Sequence, residues 1–265
     1  MQNWRAGGQT RFERVRLEDG RAAVRKRRTS APTGYFKAEA EGLHRLASVA
    51  GGLRVPQVYA QSGDQLLLED LGRGRARPCD WETAGRALAQ VHAQTAAHFG
   101  LETDGWCGDG AQDNTLTING HAFYAQHRLL PQLRRARDAG LLTRTDASAI
   151  EGIAVRLPEL LPLAPAVLLH GDLWLGNLHA CADGRIALID AAAVHYGWAE
   201  TDLAMTTLFG SPPAAFYAAY AEASGCQEGW LQRAPLLNLY HLLNHLNLFG
   251  SGYQSAVRHV LRRYG

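Results

Sequence analysis

Hydrophobic positions in the first 71 residues switch between the spacing of strands and that of a helix. The alternating segment that starts at Phe12 ends at Asp19-Gly20, a dipeptide typical of tight hairpin turns. From Tyr35 the hydrophobic positions recur at helical spacing instead, which indicates one buried helix face. The predicted elements are strands over Phe12–Leu17, Arg21–Arg27, Gln57–Ala60 and Gln65–Glu69, and a helix with Phe36, Ala40, Leu43 and Leu46 on its buried face.

A stretch rich in glycine, arginine and proline separates this part from a longer, mainly helical part. Residues 72–80 hold few hydrophobic side chains and are predicted as a linker. Helices are predicted over 121–139, over 145–161 and from Ala199 onward with breaks at Pro212-Pro213 and near Gly225, and buried strands over 167–169 and 186–189. We therefore expect an α+β protein with a small β-rich lobe over 1–71 and a larger helical lobe over 81–265. Ligands favour the cleft at such a junction.

Composition excludes several classes of protein without indicating a function. The chain has 265 residues, of which 46% are hydrophobic and 20% charged, so it is not intrinsically disordered. With 27 basic and 25 acidic side chains, the net charge of +2 does not call for a nucleic-acid partner. No apolar run is long enough for a signal peptide or a membrane span, and the four cysteines lack metal-site spacing. We expect a soluble, cytoplasmic protein with reduced thiols and no membrane partner.

The most informative stretch runs from His170 to Asn177 and reads HGDLWLGN. It has the form H-x-D-x-x-x-x-N, and thirteen residues after Asn177 a short predicted strand ends at Asp190. This is the spacing of a kinase catalytic loop followed by a metal-binding aspartate. Phosphoryl transfer needs a carboxylate near the acceptor hydroxyl, which Asp172 would supply, and oxygen ligands for Mg²⁺, which Asn177 and Asp190 would supply. A single aspartate more often forms a turn, but the joint spacing between two apolar strands favours a kinase.

The small lobe offers a second pair of residues that a kinase requires. In that class a strand lysine meets the α- and β-phosphates of ATP and is held by a glutamate on the next helix. Lys26 ends the strand segment AVRK, and Glu39 lies on the buried face of the predicted helix, where an unpaired carboxylate would be costly. Arginines flank Lys26 on both sides, so a solvated basic strand is the alternative. Gly7-Gly8 lies where a loop would cover the phosphates, although two glycines are a weak signal.

These segments resemble the fructosamine-3-kinase (ketosamine-3-kinase) family along nearly the whole chain. The matching segments are HGDLWLGN at 170–177, IALIDAAAVHYGWAETDLAMTTLFG at 186–210, FKAEAEGL at 36–43, LLE at 67–69, RLLPQL at 128–133 and HLNLFG at 245–250. The resemblance implies a protein-kinase-like two-lobe fold and ATP-dependent phosphorylation of the 3-hydroxyl of a ketosamine, a sugar that has glycated an amine. The 3-phosphate is then lost and the amine is freed.

The resemblance also implies roles for particular residues, with ATP and Mg²⁺ as cofactors. Asp172 would be the proton acceptor, and Glu69, Asp70 and Leu71 would form the hinge whose backbone holds adenine. The chain departs from the family at Leu175, where serine is usual, and at Ala191, where proline is usual. Residues 112–121 look shorter than the Gln/Asn/Trp-rich stretch of relatives, so the choice among fructosamine, ribulosamine and erythrulosamine adducts stays open.

Other functions remain alternatives at this point. The first is a related phosphotransferase acting on an aminoglycoside, choline or a similar alcohol, which substrate assays would distinguish. The second is a nucleotide-binding pseudokinase, against which the intact Asp172, Asn177 and Asp190 argue. A non-catalytic scaffold has no support beyond the helical lobe.

Several other side chains have two interpretations each. Arg134, Arg135 and Arg137 form either an anion site or, as we expect, a solvated helix face. His241 and His245 stand four residues apart on a predicted helix, but no third metal ligand follows at suitable spacing, which favours packing or cleft lining. Trp174 either stacks on a sugar or wedges the loop. Trp198 and the segment from Glu200 to Asp202 either orient the catalytic loop, line the acceptor site or only begin a helix.

Overall fold

A computed structural model of the chain describes residues 10–226 and 229–265. In the N-terminal part, four antiparallel strands form a sheet with the order β1-β2-β4-β3, and one helix packs against it. The elements are β1 Arg11–Arg16, β2 Ala22–Arg27, α1 Tyr35–Ala47, β3 Val58–Gln61 and β4 Gln65–Glu69. The predicted strands and helix are confirmed, each strand within one residue of its expected bounds. The Gly7-Gly8 pair lies outside the described residues.

The C-terminal part is mainly helical, as predicted. Its helices are α2 Pro78–His92, α3 Gly120–Tyr124, α4 Leu130–Asp138, α5 Arg144–Leu160, α6 Ala199–Met205, α7 Ala214–Ser224, α8 Trp230–Leu237, α9 Leu239–Phe249 and α10 Gln254–Tyr264. Its short strands are β5 Thr95–Ala96, β6 Gly105–Cys107, β7 Gly110–Gln112, β8 Ala166–Leu169, β9 Leu178–Ala180, β10 Ile186–Leu188 and β11 His195–Gly197. Arg134, Arg135 and Arg137 are exposed on α4, as expected for a solvated face.

Two predicted boundaries differ from the structure for local reasons. Helix α2 begins at Pro78, inside the predicted linker 72–80, because proline suits the first helical turn and the Asp80 carboxylate accepts a hydrogen bond from the Arg77 N–H at 2.8 Å. The predicted helix over 121–139 contains a π-helical turn at Ala125–Leu129, so it is not continuous. Pro131 follows that turn in the first turn of α4 and cannot donate a backbone hydrogen bond.

The two lobes share a buried hydrophobic cluster. Phe36 and Leu43 of α1 belong to the same cluster as Leu168 of β8 and Leu188 of β10. Helix α1 approaches the larger lobe most closely at Gly42, where an added Cβ would lie 1.9 Å from the carbonyl oxygen of Ala191. Only glycine allows this approach. This close contact places α1, the helix that carries Glu39, directly against the backbone that follows Asp190.

Two further expectations concern the environment of the chain. None of Cys79, Cys107, Cys181 and Cys226 forms a disulfide in the described part of the chain. Within the described ranges, no helix combines the length and the apolar character needed to cross a bilayer.

Candidate active site

The loop that follows β8 is held in place by hydrogen bonds to its backbone. The carboxylate of Asp202, on α6, accepts hydrogen bonds from the N–H groups of His170 at 2.7 Å and Gly171 at 2.9 Å. The Nε2 atom of His170 donates to the carbonyl of Ile189 at 2.9 Å. The first bonds fix the backbone just before Asp172, and the last ties the loop to the residue before Asp190. The loop and Asp190 are therefore positioned by one network.

The contacts of Asp202 show which role the segment from Trp198 to Asp202 has. Its side chain is 1% exposed and also contacts Nε2 of His92 at 3.3 Å. Burial alone would raise the pKa of Asp202, but hydrogen bonds from His92 and from the loop backbone lower it, so the group is a carboxylate. Glu200 pairs with Arg233 at 2.5 Å instead, and Trp198 is buried in the helical core. Only Asp202 of this segment orients the catalytic loop.

The predicted metal ligands face the same cleft. Nδ2 of Asn177 donates to the carbonyl of Asp172 at 2.8 Å, which leaves Oδ1 of the buried amide as its free acceptor. Asp190 follows β10 with φ 60°, a left-handed conformation that few residues other than glycine adopt. Both residues line a cleft of about 630 Å³ between the lobes, together with Asp172.

Lys26 and Glu39 form the predicted ion pair across β2 and α1. Nζ of Lys26 lies 2.5 Å from Oε1 of Glu39, and both side chains are buried. The neighbouring side chains of Arg25 and Arg27 are 40% and 65% exposed. Lys26 also contacts the carboxylate of Asp190 directly. The alternative of a solvated Lys26 is therefore wrong, and the lysine joins the small lobe to Asp190.

One cation between two carboxylates determines the protonation of this cluster. Burial alone would lower the pKa of Lys26, but the charges of Asp190 and Glu39 outweigh it and raise the pKa, so the lysine stays charged. Burial likewise opposes ionisation of Asp190, but Lys26 lowers its pKa. Burial raises the pKa of Glu39 to about 7. Since a single lysine serves both acids, the more deeply buried Glu39 takes up a proton first.

Asp172 has the electrostatics of a proton acceptor. Burial raises its pKa to about 7, and the nearby negative charges of Asp190 and Asp202 act in the same direction. A carboxylate whose pKa lies near the working pH is suited to accept a proton and release it again.

The predicted hinge residues lie apart from this cleft. The carboxylate of Glu69 pairs with Arg54 at 2.6 Å, and that of Asp70 accepts a hydrogen bond from the Gly72 N–H at 2.9 Å. The carbonyl of Leu71 accepts from the Ala182 N–H at 3.0 Å, while its own N–H has no partner among residues 10–226 and 229–265. None of the three hinge residues lines the cleft that holds Asp172. What these residues can offer a ligand that extends beyond the cleft is backbone, chiefly the N–H of Leu71.

The structure confirms one of the two roles predicted for Trp174, wedging of the loop, while stacking on a sugar stays a prediction. Its ring packs so tightly over Gly176 that an added Cβ there would lie 2.2 Å from the ring, so the tryptophan wedges the loop. The same ring lines the cleft and meets Phe209 edge to face at 6.3 Å. Gly176 is the residue that makes this arrangement possible.

His241 and His245 do not act together as a metal pair. His245 donates through Nδ1 to the carbonyl of His241 at 2.8 Å, a contact within one helix. His241 instead lies beside Cys107, with Nδ1 and Sγ 3.8 Å apart, and these atoms lie within 4.8 Å of the Asp172 carboxylate. The favoured interpretation of packing and cleft lining is confirmed, since His241 is buried and His245 lines the cleft, and the potential ligands beside His241 come from distant parts of the chain. Burial raises the pKa of the Cys107 thiol well above its usual range, so it stays protonated.

Sequence reasoning missed most of the acceptor side of the cleft. This side includes Trp106 on β6, Phe209 after α6, Phe249 on α9 and Tyr253 after it. No spacing links residues so far apart, and each would be read alone as a core aromatic. Of the aromatic side chains that line this cleft, the sequence singled out Trp174 and His245.

The fold and the site together define a protein-kinase-like phosphotransferase. The structure superimposes on the ADP-bound crystal structure of an aminoglycoside phosphotransferase with a TM-score of 0.62, covering 95% of this chain and 92% of that one. Because the two chains are only 16% identical, this similarity shows the fold alone.

The chain belongs to the fructosamine kinase family, whose sequence model matches residues 6–264. A probable ketoamine kinase of Synechocystis is 40% identical over 233 residues, which cover 86% of this chain and 78% of the relative. The crystal structure of a protein from Thermobifida fusca, classed with the fructosamine-3-kinases, is 37% identical and has a TM-score of 0.90. That comparison covers 96% of this chain and 89% of the other. The fold and family expected from the sequence are thus confirmed.

Proposed function

We propose that this protein is an ATP-dependent kinase that phosphorylates the 3-hydroxyl of ketosamines. The observation that carries the proposal is the cleft in which Asp172, Asn177 and Asp190 meet the Lys26–Glu39 pair. Membership in the fructosamine kinase family supports the ketosamine as the acceptor. Four cysteines without a disulfide among the described residues fit the reducing cytoplasm, where we propose that the enzyme acts.

The small lobe would hold the nucleotide. Lys26 is fixed by Glu39 and faces the cleft, so its ammonium would contact the α- and β-phosphates. The unpaired N–H of Leu71 would donate to adenine at the hinge, while the side chains of Glu69 and Asp70 hold the hinge in shape. In the nucleotide complex the phosphates would share Lys26 with Asp190, which Lys26 contacts directly in this structure.

The residues of the cleft fit a magnesium ion. The carboxylate of Asp190 and the free Oδ1 of Asn177 are hard oxygen donors of the kind that Mg²⁺ prefers. When held by these residues, the ion would neutralise the negative charge that develops on the transferring phosphate. The hydrogen bond to the Asp172 carbonyl orients the amide of Asn177. It therefore fixes the position of the proposed metal ligand, Asn177, relative to the proposed proton acceptor, Asp172.

Asp172 would orient the acceptor hydroxyl and accept its proton. The bond between the γ-phosphorus and the bridging oxygen of ATP breaks as the sugar oxygen bonds to that phosphorus. The hydroxyl proton passes to the Asp172 carboxylate, and ADP leaves. The Asp202 carboxylate would keep the loop backbone in place during this step.

Asp172 should titrate near neutral pH in the unliganded protein. Its pKa of about 7 implies that the carboxyl is protonated, and unable to accept a proton, as the pH falls below that value. Bound magnesium should lower the pKa, because it offsets the charge of Asp190. The measurement is carbon-13 NMR of aspartate carboxyls with and without MgADP, using Asp172→Asn for assignment. A resonance assigned to Asp172 that titrates near pH 4 in the unliganded protein would contradict this expectation.

A substrate panel tests the proposed function. ADP formation should be measured with lysine adducts of fructose, ribulose and erythrulose, beside aminoglycosides and choline, with phosphate position determined by NMR. We expect turnover with one or more ketosamines and phosphate on the 3-oxygen. Turnover confined to an aminoglycoside or choline would select the related phosphotransferase instead. Nucleotide binding without turnover of any acceptor would identify a pseudokinase.

A further inference from the structure

An aromatic surface runs from the catalytic loop to the mouth of the cleft. We call it the aromatic wall, and it consists of Trp174, Phe209, His245, Phe249 and Tyr253. Phe209 and His245 have ring centroids 4.8 Å apart, and His245 lies 5.4 Å from Phe249 and 5.2 Å from Tyr253. Since Trp174 follows Asp172 by two residues, the wall begins where the acceptor hydroxyl would lie.

The outer end of the wall is open to solvent. Phe249 is 52% exposed at the end of α9, whereas Leu246 on the same helix is fully buried. The Tyr253 hydroxyl has no hydrogen-bond partner in the described part of the chain. Phe249 packs against His245 and Tyr253, so the exposed ring continues the aromatic wall to the mouth of the cleft, and a contiguous apolar surface of this kind marks a ligand-binding groove.

The charges around the wall favour a cationic ligand. The charged side chains of the described residues that line the cleft are Glu39, Asp109, Asp172, Asp190 and Lys26. Arg28 pairs with Asp109 at 2.5 Å, which leaves Glu39, Asp172 and Asp190 beside the one lysine. Acids therefore outnumber the lysine, which Glu39 and Asp190 already hold. Burial lowers the pKa of His245, so the wall itself is neutral at pH 7 and does not repel a cation. Aromatic faces attract ammonium groups.

We propose that the aromatic wall binds the amine half of the acceptor, holding its secondary ammonium near Phe209 and His245 and its carbon chain against Phe249 and Tyr253. This assignment rests on the proposed function. It makes Phe249 a specificity-determining residue and predicts that ketosamines of long alkylamines, or of lysine side chains, bind better than those of short amines. The open end at Phe249 lets a longer amine continue into solvent.

The experiment compares ribulosamines of methylamine, butylamine and hexylamine with the wild type and Phe249→Ala. For the wild type we expect KM to fall with chain length, by up to about fourfold for each methylene group that becomes buried. Phe249→Ala should raise KM for the hexylamine adduct by about tenfold, with kcat unchanged and the methylamine adduct unaffected. Phe249→Leu should restore part of the difference, because it keeps apolar contact without an aromatic ring.

Controls separate this inference from folding and from the proposed function. Leu231→Ala is the matched variant, since Leu231 is 58% exposed on α8 and does not line the cleft. Unchanged nucleotide affinity and melting temperature would show that Phe249→Ala is folded. A wild type that phosphorylates all three adducts with equal KM, or a Phe249→Ala that affects them equally, would overturn the assignment and leave the kinase intact. Failure to phosphorylate any ketosamine would overturn the proposed function itself.

Discussion

Asp190→Asn should abolish useful turnover while the protein stays folded. The substitution removes the carboxylate that we assign to magnesium, and loss of one group that stabilises transition-state charge typically costs about 10²–10³-fold in rate. Asparagine tolerates the left-handed backbone at this position better than alanine does, so Asp190→Asn isolates the charge. Lys26 keeps its pair with Glu39 in the variant, and the small lobe should retain its structure.

The measurement is kcat as a function of magnesium concentration, beside nucleotide affinity with and without the ion. We expect the wild type to bind nucleotide more tightly with magnesium and the variant to lose that difference. Asp138→Asn is the matched control, because Asp138 is 68% exposed on α4 and pairs only with Arg137. Wild-type turnover by Asp190→Asn at the same magnesium concentration would remove Asp190 from the metal site.

The small lobe and the catalytic loop were predictable because their signals are local. Alternating residues and the Asp19-Gly20 turn determine the hairpin of β1 and β2, and helical spacing placed Glu39 on the buried face of α1. Once Glu39 was known to be buried, a cation had to lie beside it, and the strand offered Lys26. The spacing of Asp172 and Asn177 was informative for the same reason, because a short turn between strands fixes the positions of both residues.

What the sequence did not predict depends on contacts between distant segments. Asp202 lies 31 residues after Gly171 but accepts a hydrogen bond from its N–H, and no periodicity connects the two. The aromatic wall joins residues from the catalytic loop, the segment after α6 and helix α9. Gly42 is another residue whose role depends on a contact with a distant segment. Its need for glycine comes from the Ala191 carbonyl of the other lobe, which is invisible in the sequence around it.

Asp172→Asn should lower kcat far more than it weakens ATP binding. Asparagine keeps the volume and one acceptor oxygen but cannot take the hydroxyl proton, and general-base contributions of this kind are worth roughly 10²–10⁴-fold in rate. The groups assigned to the nucleotide, Lys26, Leu71 and Asp190, are untouched. Calorimetric ATP affinity beside steady-state turnover of a ketosamine gives both quantities. A loss of affinity as large as the loss of kcat would place Asp172 on the nucleotide side instead.

The same substitution should stabilise the folded protein above neutral pH. Folding raises the pKa of Asp172 from an ordinary value of 3.8 to about 7, so the folded state binds the proton more tightly than the unfolded chain does. Stability from this group is fully present below pH 4 and is lost as the pH rises through 7. At pH 8 the charged carboxylate therefore lowers the free energy of unfolding by on the order of 2–4 kcal/mol, which Asp172→Asn would recover.

Chemical denaturation at pH 8 and pH 4.5, with Asp138→Asn as control, measures this difference. The free energy of unfolding should be higher for Asp172→Asn than for the wild type, by the largest amount at pH 8. An Asp172→Asn protein no more stable than the wild type at pH 8 would mean that the fold accommodates the charge on Asp172, and this result would contradict a pKa near 7.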